Sequence, residues 1–411
     1  MDQVTRGWLV YQITGSPLQL GLATAVRGLP LLFFGIVAGA YADRSGRKAQ
    51  LIVAQVTNAF LNLLLATLVL THHVQVWHIY VTGFLAGTVQ AFQQPARQTL
   101  ISDIVGNEKL MNALALNSAA LNSSRTLGPA IAGAFISAVG IAGSYYLQAG
   151  MYAFATLWTG QMRVPERRAL NAEWRPEPFF ASIRSGFAYV GTNSNIRTLM
   201  MLALGPLTFG MAYTSLMPVI ARNILHGGAP LQGLLLSCIG VGSLMGALTV
   251  ASMRRNNGYG LPVVIGASCF AAAIFGFGSS HWIWLSMILG FTIGLFNVTY
   301  QTQNQTLLQI LAPRHLRGRV MSIYLLNRAF VPLGALLAGA LASQFGAAWS
   351  LRIMSSCALS IIVFVVVTRP QLLTLKVPFN DAANDESGDP AGERRSREGV
   401  AVVGPAPDSP G

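Results

Sequence analysis

The chain has 411 residues, 53% of them hydrophobic and 10% charged, with a mean hydropathy of +0.51 and a formal net charge of +13. A water-soluble domain carries about a quarter charged residues, so composition excludes a soluble enzyme, a disordered chain or a disulfide scaffold. The three cysteines, Cys238, Cys269 and Cys357, each sit in an apolar run and offer neither a disulfide framework nor a paired-cysteine metal site.

Residues 1–14 are a stub that reaches about 21 Å as a helix, too short to cross a hydrocarbon core of roughly 30 Å. Apolar spans follow at 18–41, 50–70, 78–100, 113–137, 144–162, 198–221, 231–253, 261–279, 282–311, 319–343 and 348–368. They are expected to be helices, because an open strand leaves its backbone groups unbonded in lipid. Residues 163–197 form the longest internal loop. Phe180, Ile183, Phe187 and Val190 recur there at helical spacing beside Arg184, which predicts a helix lying on the membrane surface. From about 376 the composition turns to Asp, Glu, Gly, Pro and Arg, and disorder is expected. The first residues carry no signal-peptide pattern.

With the stub entering from the cytoplasm, one set of loops receives Arg44, Arg47, Lys48, Lys109, Arg163, Arg167, Arg168, Arg175, Arg184, Arg254, Arg255, Arg314, Arg317 and Arg319. The opposite loops hold one basic residue, Arg222. The positive-inside rule then places both termini of a multi-pass membrane protein in the cytoplasm. The basic excess is topological, and no continuous basic surface suggests nucleic acid.

An internal repeat organises the chain. GFLAGTVQAFQQPARQTL (83–100) matches GFTIGLFNVTYQTQNQTL (290–307) at seven identical positions with a constant offset of 207. LGPAIAGAFISAVG (127–140) matches LGALLAGALASQFG (333–346) at an offset of 206. The expected organisation is an N-terminal membrane half over 1–162, a cytoplasmic linker over 163–197, a C-terminal half over 198–369 and a tail over 370–411. Parallel six-helix halves with a site between them near the midplane are a transporter architecture. By the repeat's register the first helix would begin about nine residues before Met1, so helix 1 reads as truncated at its start.

GAYADRSGRK (39–48) lies in the turn between the second and third spans. It resembles the signature of the major facilitator superfamily, with Gly39, Asp43, Arg44, Gly46, Arg47 and Lys48 filling its positions. The equivalent turn, GALTVASMRR (246–255), keeps the glycine and the basic pair but lacks the acid. GWLVYQITGSP (7–17), QPARQTLISDIV (94–105) and NSSRTLGPAIAG (122–133) resemble the group that contains the bacterial enterobactin exporter. The resemblance implies an all-α major facilitator fold of two six-helix halves and secondary active export by alternating access. It also implies a conformational latch. Asp43 would face a helix N-terminus of the other half and Arg47 a carboxylate at the end of the fourth span, Asp103 being the nearby candidate. The bland reading of the same basic residues is topological anchoring.

Gln90, Gln94 and Gln98 share one face of the fourth span, and Asn297, Gln301 and Gln305 the matching face of the tenth. Amides facing lipid are costly, so these faces are expected to line a substrate cavity or to bond across helix interfaces. Arg27, Arg125 and Arg328 fall inside spans, where arginine is expensive. No Asp or Glu occurs from 178 to 380. Such a cavity favours an anionic or strongly hydrogen-bonding solute, unless each arginine bonds backbone carbonyls or snorkels.

Asp2 is the sole acid of the first helix. With the chain restored upstream it would lie within the bilayer and be the candidate for proton coupling, since burial raises a carboxyl pKa, the alternative being an exposed terminal aspartate. Arg125, Gly128, Pro129 and Gly133 resemble the fifth-helix pattern of superfamily antiporters, with close helix packing as the alternative.

The six histidines are scattered, and no glycine-rich phosphate loop with a lysine is present. No enzyme chemistry, cofactor or metal is expected. The expected partners are membrane lipid, a small-molecule substrate and protons, with a monomeric chain. The rival readings are a non-transporting membrane scaffold or sensor, and an inactive truncated copy.

Overall fold

A computed structural model describes residues 1–44, 46–162, 188–253, 260–313 and 316–373. The surface helix expected within 163–197 falls mainly on 163–187, and the expected tail on 374–411, both outside the described residues. Among the described residues every regular element is helical. In chain order they are α1 (Asp2–Thr14), α2 (Pro17–Arg44), α3 (Arg47–Leu70), α4 (Val76–Gln161), α5 (Ser194–Ile224), α6 (Ala229–Ser252), α7 (Gly260–Ser279), α8 (Ile283–Leu311), α9 (Arg317–Leu326), α10 (Val331–Phe345) and α11 (Ala347–Thr368).

The 86 residues of α4 would make a straight rod of about 129 Å. Contacts with neighbouring helices forbid that. Gln50 on α3 donates to the Phe92 carbonyl, while Gln55 on the same helix donates to Thr159. Arg6 reaches the Ile79 carbonyl, and a Cβ on Gly128 would lie 3.4 Å from the Met1 nitrogen. The run therefore doubles back twice and consists of three limbs, corresponding to the spans expected at 78–100, 113–137 and 144–162. One bend is Gly140, at φ +74, a left-handed value that glycine adopts without a Cβ clash.

Prolines explain the other irregularities. α5 passes through a 3₁₀ turn at Gly210–Ala212 and a π turn at Ile220–Ile224. Pro206 and Pro218 lie inside it, and each removes a backbone donor from the helical ladder. A 3₁₀ turn at Asn327–Phe330 joins α9 to α10, with Pro332 beginning the next turn. With the limbs of α4 counted separately and α9–α10 taken as one interrupted span, twelve helical segments are described, six on each side of the linker.

If each segment crosses once, the connections at Gly15, Thr71–Gln75, Gly140, Gly228, Ser280 and Gly346 all lie at one end of the bundle. At this end the two halves meet along two glycine seams. In one, the second limb of α4 crosses α6. A Cβ on Gly133 would lie 2.7 Å from the Ala229 carbonyl and 3.2 Å from Gly233 Cα. In the other, α2 crosses α10, and a Cβ on Gly21 would lie 2.5 Å from the Ala335 carbonyl and 3.2 Å from Gly339 Cα. Gly133 and Gly339 are repeat partners, so the seams are copies of one another. The close approach starts five to seven residues from the connecting turns at these pairs and continues to Gly240 against Thr126 and Gly28 against Pro332, roughly 20 Å into the bundle. Lipid tails are as apolar as leucine, so helices in a bilayer associate by close packing, which small residues permit. A cross-half hydrogen bond from Asn223 Nδ2 to the Tyr11 hydroxyl, 2.6 Å, and the Arg222 guanidinium over the Tyr11 ring reinforce the pinch.

Gly133→Leu is expected to lower stability by about 1–3 kcal/mol through overpacking of the seam. Gly150→Leu, where a Cβ meets no atom within 4 Å, should be near neutral. Thermal unfolding in detergent compares the two, and equal melting would remove the seam's role.

Candidate functional site

Near the middle of the bundle, nine to thirteen residues from the Gly15 connection, α1 brings two charges into the N-terminal half. Asp2 and Arg6 stand one turn apart and pair at 3.3 Å. The other Asp2 oxygen takes Arg27 of α2. Arg6 is nearly buried, its side chain 7% exposed, and donates to the Ile79 carbonyl and to Thr82 Oγ1, both at 3.0 Å. Arg27 is more open, with 29% of its side chain exposed. Two guanidiniums thus share one carboxylate, and the cluster keeps a net positive charge. A polar layer lies alongside. Thr5 meets Ser144 at 2.9 Å and accepts from Gln148 at 3.1 Å, while the buried Tyr145 hydroxyl has no hydrogen-bond partner.

The glutamine stripe of the first limb of α4 can be placed from helix geometry. Val81, Phe84 and Leu85 are exposed apolar side chains and mark the lipid face. Gly83 and Gly87 lie on the other side, where an added Cβ would meet Arg6 and Pro30 respectively. Gln90, Gln94 and Gln98 follow Gly83, Gly87 and Ala91 at seven-residue steps, on that inward side. All three are exposed. An exposed polar side chain on a protein-facing row faces a wet opening between helices, since lipid cannot occupy that side.

The same reasoning places Arg125. Leu127, Ile131 and Phe135 are the exposed apolar row of the second limb. Arg125 stands on the row of Pro129 and Ala132 instead, Ala132 being fully buried and Pro129 contacting Gly233 through its carbonyl. Arg125 is itself exposed. It stands beside Thr126, whose backbone meets Gly240 of α6 at the deep end of the seam. Gly128 lies beside Met1 and Gly133 in the seam itself.

On α8, Asn297 is buried, and Gln301 and Gln305 are partly buried. Gln301 Nε2 donates to Asn297 Oδ1 at 2.8 Å, and Asn297 Nδ2 points to Met211 Sδ at 3.3 Å, in the 3₁₀ turn of α5. The amide stripes occupy corresponding faces of their halves. The N-terminal one is open, and part of the C-terminal one is bonded to itself.

The signature turn is only partly described. Ser45 is outside the described residues, as are the side chains of Asp43, Arg44, Asp103 and Arg328 and the surroundings of Gly39. Gly46 precedes α3 in extended conformation. Lys48 donates to the Gly160 and Met162 carbonyls, both at 2.7 Å. A lysine at a helix C-terminus satisfies carbonyls that the last turn leaves free. Lys48 therefore ties α3 to the third limb of α4 within one half, a role the latch reading did not include.

Sequence reading passed over Arg6, Thr5, Thr82, Ser144 and Gln148. The available signal was the spacing of four between Asp2 and Arg6, which puts both on one helix face. The contacts to Thr82 and Ser144 join residues 76 and 139 positions apart, and no local pattern announces them.

The doubled bundle, pinched at one end and polar within, is the fold of major facilitator transporters. A peptide transporter of the POT family in complex with alafosfalin superposes with a TM-score of 0.70 at 13% identity, covering 91% of this chain and 92% of that one. A bacterial homologue of the human lysosomal transporter Spinster, in an inward-facing and unoccupied conformation, superposes at 0.67 and 14% identity over 90% and 92%.

Residues 1–398 match the family model described as transmembrane secretion effector, and the chain belongs to that family of the major facilitator superfamily. It is a multi-pass membrane transporter. The chain is 26% identical over 382 residues to the staphyloferrin A transporter of Staphylococcus aureus, covering 92% of this chain and 94% of that protein. It is 28% identical to the multidrug efflux pump Tap of Mycolicibacterium fortuitum, over 82% and 84%. The enterobactin exporter EntS of Citrobacter koseri is 26% identical over 82% and 79%.

Removing one member of a buried charge cluster leaves its partners uncompensated. Asp2→Asn is expected to cost about 3–5 kcal/mol, with Asp2→Asn/Arg6→Gln costing less than the sum of the single changes. Unfolding of the four proteins in a double-mutant cycle reads the coupling, and additive losses would mean the pair is not coupled.

Proposed function

We propose that this transporter exports a small organic solute, siderophore-like or drug-like, across the bacterial cytoplasmic membrane by proton antiport and alternating access. The observation that carries this reading is the arrangement of the two halves. They are pinched together by glycine seams, while Arg125 and the glutamines of α4 are exposed on inward rows nearer the other end. The basic-rich loops belong to the open end, so the positive-inside rule makes it cytoplasmic, with both termini on that side. The solute would enter from the cytoplasm and be released when the seams part.

Asp2 would carry the proton, against the pull of Arg6 and Arg27, which favour its ionised form. Protonation would take the carboxylate's charge from between them. Arg6 would keep its bonds to Ile79 and Thr82, so the contact released first is the one to Arg27. That residue belongs to α2, the helix that closes the seam with α10. Loss of this pair would loosen α2 and favour opening at the pinched end. The signature turn, Gly39 to Lys48 with Asp103, would hold the cytoplasmic ends together once they close. Gln90, Gln94, Gln98, Gln301, Gln305 and Asn297 would supply amide donors and acceptors to the solute. Arg125, and Arg328 from the other half, would favour an anionic or strongly hydrogen-bonding one. Siderophores and acidic drugs fit that chemistry, and the resemblance to a staphyloferrin A transporter and an enterobactin exporter supports it.

Efflux from cells stripped of their own exporters tests the reading, with siderophores and cationic drugs compared with and without a protonophore. The wild-type chain should expel the anionic solutes, and the protonophore should stop it. Asp2→Asn should reduce proton-driven efflux by at least tenfold, about 1.4 kcal/mol in barrier, while leaving solute binding measurable. Efflux that ignores the protonophore would overturn proton antiport.

A further inference from the structure

The outward face of α11 carries a row of polar groups that the transport reading does not use. The helix buries Leu351, Met354, Ala358 and Ile362 against its neighbours, and shows Val363, Phe364 and Val367 to lipid. Arg352, Ser356 and Ser360 stand on the lipid side at four-residue steps, a single row about 12 Å long. Arg352 Nε is buried and has no hydrogen-bond partner. Among the described residues, the Ser356 and Ser360 hydroxyls likewise make no hydrogen bond. Hydrocarbon offers these groups nothing to bond to.

The row forms one wall of a furrow between α11 and α7. Its upper part is a cavity of about 600 Å³ lined by Phe275, Ser279, Trp349, Arg352, Ser356 and Ser360. A second hollow, about 550 Å³, lies against α11 alone, along Ser356, Leu359, Ser360, Val363, Phe364 and Val367. The furrow therefore carries its one charge, Arg352, at one end. Its polar end lies at the membrane interface. Trp77, Trp282, Trp284 and Trp349 are exposed at the starts of α4, α8 and α11, the position of an aromatic belt. Arg352 lies one turn below, 4.9 Å from the centre of the Trp349 ring.

Charge decides the occupant. No Asp or Glu occurs between residues 178 and 380, so the C-terminal half contains no acid to neutralise Arg352. The counter-charge has to come from outside that half. A second copy of the chain, docked symmetrically, would set Arg352 against Arg352. We infer that the furrow holds an anionic glycerophospholipid of the leaflet on the pinched side. Its phosphate lies on Arg352, its ester carbonyls accept from Ser356 and Ser360, and an acyl chain runs along Val363, Phe364 and Val367. The lipid thereby becomes a bound ligand of the C-terminal half, outside the transport pathway.

Native mass spectrometry of the full chain, released from detergent with added phosphatidylglycerol or phosphatidylcholine, tests the assignment. Phosphatidylglycerol should be retained about tenfold more than phosphatidylcholine, the size of one charge-assisted hydrogen bond. Arg352→Gln should bring retention down to the phosphatidylcholine level, and Arg352→Lys should keep most of it. Ser360→Leu, which blocks the furrow with the charge intact, should lose both lipids. Arg369→Gln, at the far end of α11, should change neither. Equal retention of the two lipids by the wild type, or undiminished phosphatidylglycerol on Arg352→Gln, would overturn the assignment. So would a bifunctional thiol reagent that joins Cys357, exposed on the same helix, to a second copy in lipid vesicles, because a protein would then occupy the furrow.

Discussion

Hydrocarbon cannot donate or accept a hydrogen bond, and this constraint governs every level of the molecule. It makes the apolar spans helices. It also sorts the few polar side chains within them, because each needs a protein partner, water or a bound molecule. Asp2 and Arg6 answer it with one another. Gln301 and Asn297 pair along α8. Gln90, Gln94, Gln98 and Arg125 face an opening instead, and Arg352 with its two serines faces the bilayer. Where a polar group has no partner in the chain, the structure points to what the protein meets.

The glycine seams turn that static sorting into a device. The hydrophobic effect gives no preference for helix contact over lipid contact, so the seams hold through close approach, reinforced by Asn223 and Arg222 on Tyr11. The charge cluster sits beside one seam, with Arg27 on α2 as its link. Arg27 thus links Asp2 to the helix that packs against α10.

Individual residues show how far local pattern reaches. The expected spans and the helices agree closely at their ends, as at 261–279 against Gly260–Ser279 and 348–368 against Ala347–Thr368. The run from Val76 to Gln161 is legible as three spans by hydropathy, and long-range contacts supply its folds. The amide stripes were visible because glutamines at four-residue steps share a face. Their different states, one open and one self-bonded, depend on Met211 and the 3₁₀ turn of α5. Arg27 stood out as a charge in an apolar span, but its partner lies 25 residues away on another helix. Lys48 belonged to a recognisable turn, yet its hydrogen bonds reach carbonyls more than 110 residues distant.

From sequence alone came the membrane class, the spans, the duplication, the charge asymmetry of the loops and the family resemblance. These are properties of composition and period, and a bilayer reads them one segment at a time. Tertiary structure alone decided which glycines meet, which arginine is neutralised and which polar row is left facing lipid. Those outcomes depend on helix rotation and crossing geometry. Both are set by van der Waals fit between segments far apart in the chain, and no local pattern encodes that fit.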